Sequence, residues 1–206
     1  MQIKTVCWDW NGTLLDDVEI CRVTMNQVLR EWGLDELTDR DAYRRRFTFP
    51  IRSFYAAVGI ADHEFAPAAH RYLELLAPAV SNAPLRSEAR ATIAHIHERG
   101  MHQVLASATL ADPLNRQMAP HALGESFDEI LSIDDALNAS KHEVIANWIH
   151  RTGAAPQSVV MVGDTNHDHE IAASLGTRFV HYAGGHQELT ASAQRIDTLD
   201  ELLDLL

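Results

Sequence analysis

The segment CWDWNGTLLDD, residues 7 to 17, places carboxylates where an apolar run ends. The run covers residues 3–8 and stops abruptly at Asp9, after which the chain turns through Asn11 and Gly12. A carboxylate at a strand exit is a candidate nucleophile or metal ligand. The same residues suit a plain turn in any protein, because asparagine followed by glycine favours tight turns. The segment alone therefore leaves catalysis and a simple hairpin both open.

The rest of the chain repeats this pattern of an apolar run followed by polar residues, and the order of the runs predicts a fold. We predict strands at residues 3–8, 102–107, 129–133, 158–164 and 177–182, and helices near 86–99, 110–119, 141–151 and 167–175. Near-continuous runs of Val, Ile, Leu and Met indicate strands that are buried on both faces. The alternation predicts an α/β protein with a doubly wound parallel sheet and a Rossmann-like core.

One long stretch breaks the alternation of strands and helices. Residues 16–82 have helical periodicity and no convincing buried strand. We therefore predict that they form an inserted α-helical cap domain, and that residues 1–15 and 83–206 form the α/β catalytic core.

Polar residues that follow the predicted strands should gather at one edge of the sheet, because ligands bind outside the carboxyl ends of parallel strands. These residues are Asp9, Ser107, Thr109, Asp134, Asp135, Asp164 and Asp168, with Lys141 opening the helix after the third strand. Crowded carboxylates repel one another unless a hard cation such as Mg²⁺ holds them. A lysine and a hydroxyl opposite them would suit a phosphoryl group.

Four ordered segments carry a family resemblance. DWNGTLLDD, LASAT, SKHEVI and VGDTNHD resemble the four motifs of the haloacid dehalogenase-like hydrolases, most closely the phosphoglycolate phosphatase-like branch with a helical cap. Each motif alone is a weak signal, but four in order at strand ends are specific. The resemblance implies a Mg²⁺-dependent phosphatase that hydrolyses a small, phosphoglycolate-like phosphomonoester through an aspartyl-phosphate.

The resemblance also implies a role for each site residue. Asp9 is similar in position to the family's nucleophile, Asn11 stands at its acid-base position, and Ser107 and Lys141 complete the catalytic set. The implied Mg²⁺ ligands are Asp9, the backbone carbonyl of Asn11, Asp164 and Asp168. The implied substrate contacts are Gly12, Thr13, Ser107, Ala108, Lys141 and Arg46.

The lysine content makes Lys141 distinctive. The chain has two lysines among its 17 basic residues, and Lys4 begins the first strand, at the opposite edge of the sheet. Lys141 is therefore the only lysine placed to reach the site. The predicted cap contains none, which argues against the Schiff-base chemistry of phosphonate-cleaving relatives.

Asn11 departs from the family pattern. Most of the related phosphatases have an aspartate two residues after the nucleophile, whereas an amide cannot transfer a proton at neutral pH. Loss of a general acid-base costs on the order of 10²–10⁴-fold in rate. Phosphoryl capture should survive, because it depends on positioning and charge neutralisation. We expect slow turnover unless a neighbour such as His167 or His169 supplies the proton.

Composition limits the partners and the compartment. The net charge of −12 argues against a nucleic-acid partner. Two cysteines, no signal peptide and no apolar run long enough for a bilayer predict a cytoplasmic protein without a membrane partner. The sequence carries no signal for an oligomeric state. Two alternatives stay open: a phosphotransferase or mutase that uses the same aspartyl-phosphate, and a retired catalyst that serves as a phosphate-binding or interaction module.

Overall fold

Six parallel strands form one sheet in a computed structural model, which describes residues 2–134 and 140–206. The strands are β1 (Thr5–Trp8), β2 (His102–Leu110), β3 (Glu129–Ile133), β4 (Val159–Gly163), β5 (Arg178–Tyr182) and β6 (Gln194–Ile196). Their spatial order is β3-β2-β1-β4-β5-β6, so the winding reverses between β1 and β4. A ligand crevice is expected at the carboxyl ends of these two strands. The predicted doubly wound parallel sheet is confirmed.

The sequence pattern predicted five of the six strands. It missed β6, a three-residue strand (Gln194–Ile196) with one buried side chain, because so short and polar a run has no apolar periodicity. It also ended β2 too early. The register of β2 against β3 shifts between Ser107 and Leu110, and this irregularity carries the strand past its apolar run.

Eight α-helices accompany the sheet in the described ranges. They are α1 (Val18–Glu31), α2 (Arg40–Arg46), α3 (Ile51–Ala57), α4 (Phe65–Val80), α5 (Ala89–Glu98), α6 (Ala111–Met118), α7 (Lys141–Thr152) and α8 (Asn166–Leu175). The last four lie close to the predicted bounds. Within these ranges no helix combines the length and the apolarity that a membrane span requires.

The two faces of the sheet are covered by different helices. Val6 and Trp8 of β1 belong to one apolar cluster, which includes side chains of α5 and α6. Cys7, between them in sequence, points to the other face and joins a cluster with side chains of α7 and α8. Alternate residues of a strand face opposite sides, so a buried run such as this one is apolar throughout.

The first four helices, α1 to α4, have an apolar cluster of their own. Met25 and Leu29 of α1 pack there with Tyr43 of α2 and Phe54 of α3. Leu76 of α4 contacts both this cluster and the core. We propose that residues 16–82 form a separate cap domain, and their separate cluster supports this boundary.

Helix caps place two polar residues at the edge of the sheet. Ser140 caps α7 by accepting a hydrogen bond from the Glu143 amide, so Lys141 becomes the first residue of that helix. Thr165 and Asp168 form a capping box at the start of α8, each accepting a hydrogen bond from the other's backbone amide. The caps thus determine where the ammonium and one carboxylate enter the site.

We expect Thr165→Ala to lower the free energy of unfolding by about 1 kcal/mol, because it removes the cap of α8. The Thr165 hydroxyl also donates to Asp168 Oδ2 at 2.6 Å, so the variant removes one hydrogen bond from that carboxylate. Urea denaturation measures the change. Thr165→Ser keeps the hydroxyl and is the control. Equal losses in both variants would show that the methyl group, rather than the cap, stabilises the helix.

Candidate active site

Three carboxylates converge at the carboxyl ends of β1 and β4. Asp9 follows β1 directly, Asp164 follows β4, and Asp168 lies in the first turn of α8. Each offers an oxygen, and the three oxygens lie within 4.8 Å of one another. Asp164 and Asp168 are buried, and the side chain of Asp9 is 11% exposed. This arrangement presents a set of hard oxygen ligands at the expected crevice.

Lys141 bridges two of these carboxylates. Its Nζ lies 2.5 Å from Asp9 Oδ1 and 2.6 Å from Asp168 Oδ1. Burial alone would lower the pKa of Lys141, but the two carboxylates raise it well above its usual value. The ammonium therefore stays charged inside the site. The sequence predicted this lysine at this edge of the sheet, and the contacts agree.

The carboxylates respond differently to their surroundings. Burial raises the pKa of Asp9 to about 8, because the opposing charge of Lys141 is offset by Asp168 and Asp164. Burial also acts on Asp168, but Lys141 and the hydroxyl of Thr165 hold its pKa below the usual value. Three carboxylates thus face one ammonium, and the site holds an excess of negative charge that a divalent cation would neutralise.

The side chain of Asn11 is held by three neighbours. Its Nδ2 donates to Asp17 Oδ2 at 2.8 Å and to Gln117 Oε1 at 3.2 Å. Its Oδ1 accepts a hydrogen bond from Thr109 Oγ1 at 3.0 Å. All of the amide's polar groups are therefore engaged, and its orientation follows from whether each neighbour donates or accepts.

Asp17 and His186 form a buried pair beside this amide. His186 Nε2 lies 3.2 Å from Asp17 Oδ1, and its Nδ1 lies 2.9 Å from the Tyr43 hydroxyl. Burial alone would raise the pKa of Asp17 and lower that of His186, but each charge reverses the shift of the other. The His186 amide also donates to Asp164 Oδ2 at 2.5 Å. His186 thus contacts Tyr43 of the cap, Asp17 just before α1, and the carboxylate of Asp164.

Neither residue of this pair was predicted from the sequence. Asp17 only ended the first motif, and the polar residues after the first four predicted strands were considered but not those after the fifth. The signal was available, since twin glycines and His186 follow β5 directly in HYAGGHQ. Gly185 lies against Asp164, where a side chain would overlap the carboxylate. Close backbone approach of this kind is a reason for glycine.

The cap is closed over the site. Phe47 stacks on His186 with ring centroids 5.0 Å apart, and Phe49 stacks on His167 at 4.8 Å. Arg44 Nη2 donates to the carbonyl of Ala183 at 2.7 Å. Arg40 likewise donates to the carbonyl of Gly184. The loop after β5 is therefore the surface on which α2 docks.

Comparison with known proteins agrees with this geometry. The family model described as haloacid dehalogenase-like hydrolase matches residues 6–182. The chain belongs to this family. Family membership makes it a haloacid dehalogenase-like hydrolase. Phosphoric monoester hydrolysis is the enzyme class that this membership supports.

Solved structures similar to this hydrolase cover nearly all of it. A predicted phosphatase from Clostridium acetobutylicum has a TM-score of 0.84 at 17% identity, covering 100% of this chain and 98% of its own. A predicted phosphoglycolate phosphatase from Haemophilus somnus 129pt has a TM-score of 0.81 at 15% identity, with the same coverage. CbbY from Rhodobacter sphaeroides, in complex with xylulose-1,5-bisphosphate, has a TM-score of 0.73 at 21% identity, covering 98% and 96%. At these identities the likeness concerns the fold.

One curated relative matches part of the hydrolase. Pyrophosphatase PpaX from Halalkalibacterium halodurans is 27% identical over 78 residues. The match covers 37% of this chain and 36% of that protein's length. The chain therefore matches only about a third of that relative's length.

Three predicted substrate contacts differ in their burial and in their hydrogen-bond partners. Ser107 is buried, and its Oγ accepts a hydrogen bond from the Thr109 amide at 3.2 Å. Thr13 Oγ1 donates to Asp164 Oδ1 at 3.2 Å and so orients a proposed metal ligand. Ala108 is exposed at the same end of β2. Their roles toward substrate stay predictions.

Other candidate residues are exposed or make contacts with different partners. Arg46 is exposed, and its guanidinium donates to the carbonyl of Ala42 in its own helix at 3.4 Å. His169 packs against Phe179, with ring centroids 5.4 Å apart. Asp134 is exposed at the end of β3, and Asp135 lies outside the described residues.

We expect Gly12→Ala to destabilise the site beyond the cost of its positive φ of +81°. A methyl group at Gly12 would overlap the carboxylate of Asp164 and the ring of His186. Gly33→Ala is the matched control, because Gly33 has a φ of +69° but open space around it. The control should lose about 1–2 kcal/mol from backbone strain. Gly12→Ala should lose about 1–3 kcal/mol more in a denaturation measurement. Equal losses would contradict the close packing.

Proposed function

We propose that this hydrolase is a phosphatase that transfers the phosphoryl group of a small phosphorylated metabolite to Asp9 and then hydrolyses the aspartyl-phosphate. The observation that carries the proposal is the position of Lys141 between Asp9 and Asp168. A charged ammonium beside the nucleophile stabilises the oxygens of an incoming phosphate. A carboxylate pair held by a lysine in this way has a clear use in phosphoryl transfer.

The capture step needs an ionised Asp9. In the structure burial and two carboxylates favour its protonated form, with a pKa of about 8. Positive charge added to the cluster would favour the carboxylate and lower this pKa. Lys141 remains within hydrogen-bond distance, so it can neutralise charge on the nucleophile first and on the phosphoryl group afterwards.

Mg²⁺ is the cation that we propose for this cluster. Asp9, Asp164, Asp168 and the backbone carbonyl of Asn11 would hold it, since Mg²⁺ prefers oxygen ligands. Once bound, the ion would supply charge neutralisation and orientation for the phosphate. Thr13 and the His186 amide both donate to Asp164 and so fix the orientation of one ligand.

The proposed substrate is small, in the size class of phosphoglycolate. The closed cap and the buried carboxylates favour a compact molecule, and the similar structures include enzymes named for phosphoglycolate and for a sugar bisphosphate complex. Gly12, Thr13, Ser107, Ala108 and Arg46 are the proposed contacts besides Lys141. Two free, buried cysteines fit the proposed cytoplasmic location.

A phosphotransferase is the second candidate, and Asn11 is the observation that favours it. Without a carboxylate at this position, water has no evident base to activate it for attack on the aspartyl-phosphate. A long-lived intermediate could pass its phosphoryl group to another acceptor. The convergence of Asp9, Lys141, Asp164 and Asp168 disfavours a retired module, which would have no chemical need for this arrangement.

We expect Asp9→Asn to lower turnover of p-nitrophenyl phosphate by more than about 100-fold, because an amide is a poor nucleophile. Release of p-nitrophenol in the presence of Mg²⁺ measures the rate. Asp134→Asn, at the exposed end of the neighbouring β3, is the matched control and should retain activity. An active Asp9→Asn protein with the parent's melting temperature would exclude Asp9 as the nucleophile.

We expect Mg²⁺ to raise the melting temperature of the parent and not that of Asp164→Asn. Removing one buried charge should leave the metal-free variant as stable as the parent or more stable, because carboxylate repulsion falls. At a concentration of about 100 Kd, binding stabilises the parent by about 2.7 kcal/mol. NaCl at matched ionic strength is the control. A similar Mg²⁺ shift in both proteins would remove Asp164 from the ligand set.

A further inference from the structure

We infer that this hydrolase favours phosphoryl donors whose leaving oxygen departs as a stable anion, an acyl phosphate or a phosphoanhydride, over alkyl phosphates. The inference rests on the proposed function, and it names the substrate class of the same site. The observation that carries it is the contact of Asn11 with Asp17, 2.8 Å from Nδ2 to Oδ2. This contact determines which chemical group can occupy position 11.

Asp17 selects an amide rather than a carboxylate at position 11. Its Oδ1 accepts from the Gly12 amide at 2.8 Å and lies beside His186 Nε2, while its Oδ2 faces Asn11. A carboxylate in place of the amide would lie at hydrogen-bond distance from the buried carboxylate of Asp17, where two negative charges repel. Gln117 Oε1 also accepts from the same amide nitrogen at 3.2 Å. The asparagine is therefore built into its surroundings.

The consequence for catalysis concerns the leaving group. An amide cannot transfer a proton to a departing oxygen, and the Asn11 nitrogen already donates to Asp17 and Gln117. An alkoxide leaves poorly without a proton, whereas a carboxylate or a phosphate leaves readily as an anion. Substrates of the second kind need no general acid. The relative named as a pyrophosphatase acts, by that name, on a phosphoanhydride.

Titratable groups around the nucleophile are engaged in other contacts. Lys141 contacts two carboxylates, and both ring nitrogens of His186 have partners in Tyr43 and Asp17. His167 is stacked on Phe49, and its Nδ1 lies 3.7 Å from Glu170. Within the described part of the chain, these contacts leave none of the three as an evident replacement for the missing acid.

The proposed reaction balances without a protein acid. A carboxylate oxygen of Asp9 forms a bond to phosphorus, and the bond from phosphorus to the leaving oxygen of the substrate breaks. The leaving group, a carboxylate from an acyl phosphate or a phosphate from a phosphoanhydride, departs with the electron pair. Water then attacks the same phosphorus, and the bond from phosphorus to Asp9 breaks. Inorganic phosphate is released, the Asp9 carboxylate is restored, and one proton passes to solvent. The second step lacks a positioned base and should be the slower one.

A substrate series tests the inference on the unmodified protein with Mg²⁺. Acetyl phosphate, pyrophosphate and p-nitrophenyl phosphate are compared with phosphoglycolate and glycerol 3-phosphate by release of inorganic phosphate. We expect kcat/KM to be on the order of 10²–10⁴-fold higher for acetyl phosphate or pyrophosphate than for the alkyl phosphates, the range that a missing general acid predicts. The first two substrates distinguish an acyl phosphate from a phosphoanhydride. Equal rates on acyl and alkyl phosphates would overturn the inference.

An exchange of the two side chains provides the second test. Asn11→Asp alone should lose stability and gain little activity, because a second carboxylate would then face the buried carboxylate of Asp17. The double variant Asn11→Asp with Asp17→Asn restores one donor and one acceptor and supplies a carboxyl group to the site. We expect the ratio of kcat/KM for acetyl phosphate to kcat/KM for the alkyl phosphates to be at least tenfold lower in the double variant than in the parent. A ratio that stays unchanged in a folded double variant would overturn the inference.

Failure of this inference differs from failure of the proposed function. If the parent releases no phosphate from any member of the series, or if Asp9→Asn does not lower the rate, the phosphatase proposal fails. If alkyl phosphates react as fast as acyl phosphates and the reaction needs Asp9, the phosphatase proposal is supported and the proposed leaving-group preference is rejected. The series on the parent decides this even where the double variant does not fold.

Discussion

The ammonium of Lys141 between Asp9 and Asp168 is the interaction on which the rest of the site depends. Two carboxylates from different segments could not be buried side by side without a positive charge between them. The ion pairs also constrain the backbone. β1 must end just before Asp9, α7 must begin at Lys141, and α8 must hold Asp168 in its first turn. Local caps at Ser140 and Thr165 satisfy the last two requirements.

A second charged pair couples the cap to this centre. Asp17 lies where the chain leaves the core for α1, and His186 lies in the loop after β5. Their contact is buried, so separating them would leave unpaired buried charges, which is costly. Tyr43 and Phe47 of the α2 region pack on the same histidine. The closed position of the cap is thereby tied to the orientation of Asp164, which accepts from the His186 amide.

Asn11 shows how one altered residue depends on its neighbours. Considered without its neighbours, Asn11 removes a proton-transferring group, because an amide cannot act as a carboxylic acid does. In the structure it is the hydrogen-bond donor that Asp17 and Gln117 require. The negative charge nearest to this position belongs to Asp17, where His186 balances it. Chemistry at position 11 and closure of the cap are therefore linked through a single carboxylate.

The sequence by itself determined the sheet class, five strand positions and the helical insertion, and it indicated that Lys141, Asp164 and Asp168 gather near Asp9. These follow from local rules: apolar runs form buried strands, polar residues follow them, and caps start helices. Only the tertiary structure decided the partners of Asn11, the pairing of Asp17 with His186, and the outward position of Arg46. Those features join residues as far as 169 positions apart in the chain, and no local pattern records such a contact. Which donor meets which acceptor is settled when the cap packs on the core, because burial makes each unpaired polar group costly.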